Sequence, residues 1–146
     1  MTSYKYRTAT CLEESLTAML CRYPHRPTWT GPLSIVSVPP SERRLRERGI
    51  DQAARIADLV RDHWFPEARR TVLLARTRHT APNAQLDDPR ARRGNMAGAF
   101  AAVGSVRGSV VLVDDVYTSG ATTGECARVL REAGAQHVYI VTLAKG

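Results

Sequence analysis

Residues 110–123 read VVLVDDVYTSGATT, a buried strand running into a turn and a helix. Four apolar residues, Val110 to Val113, read as a buried parallel strand. The strand ends in two adjacent carboxylates, Asp114 and Asp115. A tight turn rich in hydroxyls and glycine follows, Thr118-Ser119-Gly120-Ala121-Thr122. Beyond it, Glu125, Cys126, Ala127, Val129 and Leu130 recur at helical spacing. In open α/β sheets, ligands bind just beyond the carboxyl ends of the strands, so the acids, the turn and the helix N-terminus share one edge. Backbone N–H groups of such a turn point at an anion, and the helix dipole favours negative charge there. Two acids beside an anion cradle suit a phosphorylated sugar: the cradle takes the phosphate, and the carboxylates accept hydrogen bonds from sugar hydroxyls.

Working outward, apolar runs and helical patterns alternate. Residues 10 to 21 read as a helix capped by Thr10, with Leu12, Leu16, Met19 and Leu20 on one face. Residues 22 to 32, with three prolines and a glycine, read as a loop. Leu33 to Val38 reads as a strand ended by Pro39-Pro40, then Ser41 to Gly49 as a polar, basic loop. Ile50, Ala53, Ala54, Ala57, Val60 and Trp64 mark a helix stopped by Pro66. Thr71 to Ala75 reads as the next strand. Arg76 to about Arg93 reads as a long polar loop, and residues 94 to 103 carry no clear period. The last helix ends near Gly134, and His137 to Leu143 closes as a strand. Strands alternating with helices predict a doubly wound parallel α/β sheet flanked by helices.

Composition sets the class. At 146 residues the chain is expected to form one domain, and 43% hydrophobic with 24% charged residues fits a globular protein. No apolar run reaches the roughly 20 residues of a membrane span, and MTSYKYRTATCLEES lacks the form of a signal peptide. A cytoplasmic location, with no membrane partner, is the expectation. The net charge is +7, and of 21 basic residues only Lys5 and Lys145 are lysine. Arginine binds phosphate in a planar, bidentate way, so the charge suits either a polyphosphate substrate or nucleic acid. Cys11, Cys21 and Cys126 have no CxxC spacing, and His25, His63, His79 and His137 are scattered, so no zinc module is read.

The 110–123 stretch resembles the ribose-5-phosphate loop of type I phosphoribosyltransferases, which use phosphoribosyl pyrophosphate (PRPP). The resemblance implies Asp114 and Asp115 over the ribose 2′- and 3′-hydroxyls, with Thr118, Ser119, Gly120, Ala121 and Thr122 around the 5-phosphate. A second anion site is expected at the loop after the first strand, where Pro40, Ser41, Arg43 and Arg44 face the pyrophosphate. The Arg76 segment is expected to close over the substrate, with Arg76 steadying the leaving group. Mg²⁺, screening the pyrophosphate and held at Asp114 and Asp115, is the implied metal.

One branch of that superfamily matches along nearly the whole chain. SVPP (37–40), RLRERGIDQA (44–53), LLARTRHTAPNAQL (73–86), RRGNMAGAF (92–100), VVLVDDVYTSGATT and AGAQHVYIVTLAKG (133–146) look like the ComF family. Its members are competence-associated and amidophosphoribosyltransferase-like. The resemblance implies transfer of phosphoribose to a nitrogen acceptor with release of pyrophosphate. The alternative readings are an accessory role on single-stranded DNA and a PRPP sensor without turnover, and the resemblance allows a homodimer. Many members begin with a cysteine-rich zinc module that this sequence does not contain. Where some base-salvage enzymes carry an acidic general base, this chain has Thr118. Residues 1–30 are the candidate for a reduced base-binding hood.

Overall fold

A computed structural model of the chain describes residues 14–22, 31–81 and 88–146. The elements run α1 (residues 14–22), β1 (Leu33–Ser37), α2 (Glu42–Arg48), α3 (Gln52–Trp64), β2 (Arg69–Arg70) and β3 (Leu74–Arg76). They continue α4 (Pro89–Met96), β4 (Phe100–Ala102), β5 (Ser109–Tyr117), α5 (Ala121–Glu132) and β6 (His137–Lys145). The central sheet has the order β2-β1-β5-β6, and every pairing in it is parallel. A two-stranded antiparallel sheet, β3 with β4, packs beside it.

β5 is interior to the sheet, with β1 on one side and β6 on the other, and Ser109 to Asp114 are all buried. That position explains its unbroken apolar run: a strand covered on both faces has no polar alternation. Successive side chains still part to opposite faces. Val111 and Val113, with Ile35 of β1, meet Ile56, Ala57 and Val60 of α3 and Leu16 and Leu20 of α1. Val110 and Leu112, with Val36, meet Cys126, Val129 and Leu130 of α5, Met96 of α4, and Leu74 and Phe100 of the small sheet. The sheet is therefore covered on both faces, as its sequence pattern predicts.

The connections locate the functional edge. The helices after β1 lead to β2 on one side, and α5 after β5 leads to β6 on the other. The strand order thus reverses between β1 and β5, and ligands of such sheets bind in the crevice at that switch point.

Three sequence readings are corrected. Ser41 to Gly49 is not a loop: Ser41 caps α2, its Oγ accepting from Arg44 N at 3.3 Å, and Gly49 ends it at φ 70°. α2 has no buried residue, so no apolar stripe betrays it; its support comes from the cap and from the Arg43–Glu47 and Arg46–Glu42 pairs one turn apart. The strand expected over Thr71 to Ala75 holds only at Leu74-Ala75, and a separate short strand precedes it. Arg69–Arg70 pairs with β1, and Leu74–Arg76 pairs with β4, with Val72 between them 75% exposed. The polar segment up to Arg93 is not all loop either. Pro89 stands in the first turn of α4, where it needs no N–H partner, and Asp88 caps the helix through Arg90 N at 2.8 Å.

The candidate hood, residues 1–30, lies outside the described residues except for α1. Trp64 Nε1 donates to Leu20 O at 3.0 Å, fixing α1 on the α3 face of the sheet. No helix among the described residues is long and apolar enough to cross a membrane.

Candidate functional site

Two loops leave the switch point side by side. The first follows β1. Val38 N donates to Val113 O at 2.9 Å and so prolongs the β1–β5 pairing up to Pro39-Pro40. Ser41 then starts α2. Arg44 and Arg48, one helical turn apart, reach across to the end of β5: Arg48 Nη1 donates to Asp115 Oδ2 at 2.9 Å, and Arg44 Nη1 lies 3.9 Å from Asp115 Oδ1. Arg48 Nη1 also donates to Gln52 Oε1 at the start of α3. Arg43 points along α2 to Glu47, at 2.7 Å.

The second loop follows β5. Asp114 is buried and its Oδ1 accepts from Asp115 N at 2.9 Å; Asp115 Oδ1 accepts from Val116 N at 2.8 Å. The chain then turns at Gly120, at φ 71°, into α5. Two features favour glycine at 120. Its backbone is left-handed, and a Cβ would stand 2.4 Å from the Tyr117 hydroxyl oxygen. No side chain caps the N-terminus of α5. The Oγ of Ser119, beside it, is buried and has no hydrogen-bond partner. An orphaned hydroxyl at an uncapped helix N-terminus is the signature of an anion seat.

A third wall comes from the small sheet. Arg76, at the end of β3, lies over the Phe100 ring with its guanidinium carbon 5.1 Å from the centroid. It donates to Thr80 Oγ1, while its Nε is buried without a partner. Burial lowers its pKa, yet a guanidinium stays charged in a protein. The segment after it, read from sequence as a mobile cover, is tied down where it is described. Arg78 donates to Asn95 O at 2.8 Å and Ala97 O at 2.9 Å, satisfying carbonyls at the end of α4. Asn95 Nδ2 donates to Ala81 O at 2.8 Å, and Gly98 N to Glu125 Oε1 at 2.7 Å. Residues 82–87 of this segment, including Asn83 and Gln85, lie outside the described residues.

These walls enclose one cleft of about 830 Å³. Of the residues singled out from sequence, Pro40, Ser41, Arg43, Arg44, Arg76, Asp114, Asp115, Thr118, Ser119 and Thr122 line it. Gly120 and Ala121 border a small adjoining hollow that they share with Asp114 and Thr122. The sequence reading missed Arg48, Gln52, His79, Thr80, Arg92 and Met96, which also line the cleft. The four-residue spacing of Arg44 and Arg48 was the available signal. It is meaningless in a loop and decisive once 42–48 is a helix.

The two acids differ electrically. Burial, reinforced by the neighbouring Asp115 charge, pushes Asp114 up to about 6. Burial would raise Asp115 as well, but the Arg48 hydrogen bond and the Arg44 charge outweigh it and hold that carboxyl below its usual range. Beneath them, burial raises the Cys126 thiol, which stays protonated and inert. Among the described residues no three or more His, Cys, Asp or Glu side chains cluster as a metal cage. The acid pair fits a hard divalent cation of the Mg²⁺ type, which uses one or two carboxylates and takes its other ligands from phosphate and water.

A stability consequence follows from Asp114. Its folded pKa lies above the unfolded value of 3.8, so between about pH 4 and pH 6 the native state holds a proton that the unfolded chain has lost. As pH rises through 6, ionising the buried carboxyl costs the ligand-free protein stability. Asp114→Asn is therefore expected to raise the denaturation midpoint of the free protein at pH 7.5, and to change it little at pH 4. Urea titrations at the two pH values measure the difference.

No protein-family model matches the chain. Relatives do match by sequence. The DNA utilization protein YhgH of Salmonella typhi is 36% identical over 115 residues, covering 78% of this chain and 50% of the relative. YhgH of Escherichia coli K12 is 35% identical over 115 residues with the same coverages. Competence protein F of Haemophilus influenzae is 30% identical over 118 residues, covering 78% of this chain and 51% of the relative. The chain thus spans about half the length of the curated relatives it matches. Among solved structures, a hypoxanthine phosphoribosyltransferase from Staphylococcus aureus superposes with a TM-score of 0.50 at 13% identity, over 91% of this chain and 64% of that one. Its likeness is one of fold. By sequence over the matched region, on a type I phosphoribosyltransferase fold, the chain belongs to the ComF family.

Proposed function

We propose that the cleft binds PRPP with Mg²⁺ and transfers its phosphoribosyl group to a nitrogen acceptor, releasing pyrophosphate. One observation carries the reading: an ionisable acid pair, an orphaned Ser119 hydroxyl at the uncapped N-terminus of α5, and the arginines of α2 all open on one cleft. Asp114 and Asp115 accept hydrogen bonds from the two ribose hydroxyls. Thr118 to Thr122 seat the 5-phosphate. Ser41, Arg43 and Arg44 face the pyrophosphate, joined by Arg76 from the opposite wall.

Mg²⁺ bound at the acid pair would supply charge neutralisation for the departing pyrophosphate. The chain's own residues do the rest. As the bond from the ribose C1 to the pyrophosphate oxygen lengthens, negative charge grows on the leaving group beside Arg44 and Arg76, and positive charge grows at C1 near the ionised acids. The acceptor nitrogen closes on C1 with its lone pair. Thr118 cannot take its proton near neutral pH, so the acceptor must be nucleophilic without a side-chain base at that position.

Calorimetry with PRPP is the test, run with Mg²⁺ and again with chelator. Saturable binding that weakens at least roughly tenfold in chelator is expected, since one ion neutralises most of the pyrophosphate charge. No heat and no competition by pyrophosphate would overturn the reading. Pyrophosphate release over a panel of nitrogen acceptors then separates a transferase from a PRPP sensor.

The net charge of +7 motivates a second reading, binding of single-stranded DNA. Tyr4, Tyr6 and Trp29, the candidate stacking rings, lie outside the described residues, and Tyr117 turns its hydroxyl toward Gly120. Labelled single strands titrated against salt decide it: absence of binding at low salt removes this reading.

A further inference from the structure

The RERG…Q portion of the 44–53 motif has no role in the reading above, and the structure gives it one. Arg48 is the last residue of α2, Gly49 closes that helix at φ 70°, and Gln52 is the first residue of α3. A single nitrogen, Arg48 Nη1, donates both to Gln52 Oε1 and, across 67 residues of chain, to Asp115 Oδ2 at 2.9 Å. We propose that Arg48 is a positioning residue: clamped by Gln52, it holds Asp115 in the orientation that receives a ribose hydroxyl, and so couples the α2 loop to the ribose end of the cleft. The proposal rests on the PRPP reading and deepens it.

Counting lone pairs shows why the contact orients the acid rather than blocking it. Each carboxylate oxygen can accept two hydrogen bonds. Asp115 Oδ1 accepts from Val116 N and Oδ2 from Arg48, and neither of these single bonds saturates its oxygen. With both oxygens held, from the backbone on one side and from α2 on the other, the carboxylate plane is fixed. A hydroxyl then meets a set acceptor rather than a rotating one, and the ordering cost is already met in the free protein. Arg44 is different. It stands 3.9 Å from Asp115, is 57% exposed, and is free to swing toward a phosphate. The two arginines of one helix face thus divide the work: Arg44 faces the ligand, and Arg48 faces the acid. Gly49 makes this geometry available, because the left-handed turn lets α3 start immediately and brings Gln52 back alongside Arg48.

The test separates the two halves of PRPP. Ribose 5-phosphate and inorganic pyrophosphate are titrated separately into the wild type, Arg48→Gln, Arg48→Lys and Gln52→Ala, each checked for an unchanged thermal midpoint within a few degrees. In Arg48→Gln, ribose 5-phosphate affinity is expected to fall roughly tenfold, the usual size for a lost hydrogen bond to a charged group, while pyrophosphate affinity changes less than about threefold. Arg48→Lys should recover part of the loss, and Gln52→Ala should lose a smaller share with the same selectivity. If pyrophosphate affinity falls and ribose 5-phosphate affinity does not, Arg48 is a pyrophosphate contact and the proposal is wrong. Equal loss for both ligands means a merely structural role and also overturns it. Failure of the wild type to bind either ligand would instead sink the PRPP reading, and the proposal with it.

Discussion

Replacing both Asp114 and Asp115 by asparagine is expected to abolish measurable PRPP binding, a loss of roughly a hundredfold or more, while the protein still folds. The size follows from removing two charged acceptors that face hydroxyls, each such bond contributing about 1.5–3 kcal/mol. It follows too from the loss of the carboxylate pair to which the PRPP reading assigns the divalent cation. Folding should survive because Asp114 is a strained acid: burial has already pushed its pKa to about 6, so a neutral isostere suits the free protein better. Asp115 gives a counterweight, since Arg48 and Arg44 are left beside an uncharged amide. Calorimetry with PRPP and Mg²⁺ on the double variant, set beside a urea titration, reads both effects. Binding that persists at wild-type strength would mean that the acids do not touch the ligand.

The second large effect is expected at Gly120. Gly120→Val places a β-branched residue at φ 71° and drives its Cβ into the Tyr117 hydroxyl, which lies 2.4 Å from the position that atom would take. Left-handed backbone costs a branched residue on the order of 1–2 kcal/mol before any clash. The turn relieves both by opening, which moves the backbone N–H groups of 119 to 122 off the phosphate. Affinity for ribose 5-phosphate, PRPP and inorganic phosphate should fall together, by about tenfold or more. Tyr117→Ala combined with Gly120→Ala removes the clash but keeps the backbone strain, so it should recover part of the loss. Thermal midpoints and phosphate titrations of the wild type and the two variants check the order. An unaffected phosphate affinity in Gly120→Val would place the anion seat elsewhere.

How far the sequence was legible depended on where the information sat. β5 and its acids were readable because a strand covered on both faces needs an apolar run, and nothing in that run competes with the strand pattern. α3 was readable through its apolar stripe, with buried Ala53, Ile56, Ala57 and Val60 recurring at helical spacing. α2 was not, because a helix with no buried residue leaves no hydrophobic period; only Ser41, Gly49 and the Arg–Glu spacing announce it. Reading it as a loop hid Arg48, since a contact spanning 67 residues of chain depends on the β1–β5 pairing that sets the start of α2 beside the end of β5. α4 was hidden for a related reason. Among its described side chains Met96 alone is deeply buried and apolar, and Pro89, a residue that breaks helix interiors, is at home in a first turn. The bounds of β2 and β3 are likewise tertiary: the β-prone Thr71 and Val72 fall between the two strands, and the partner strands decide where pairing occurs. The site residues fared better than the elements because most cluster at chain-local loops, and the switch point between β1 and β5 then joins those loops.

The most direct single measurement is an amide NMR titration of the uniformly ¹⁵N-labelled chain with PRPP and Mg²⁺. Saturable shifts concentrated at Asp114, Asp115 and residues 118–123, with a second set at residues 41–48, are the expected result. No perturbation, or perturbation centred away from the β1–β5 edge, would contradict a PRPP site built on the Asp114–Asp115 pair.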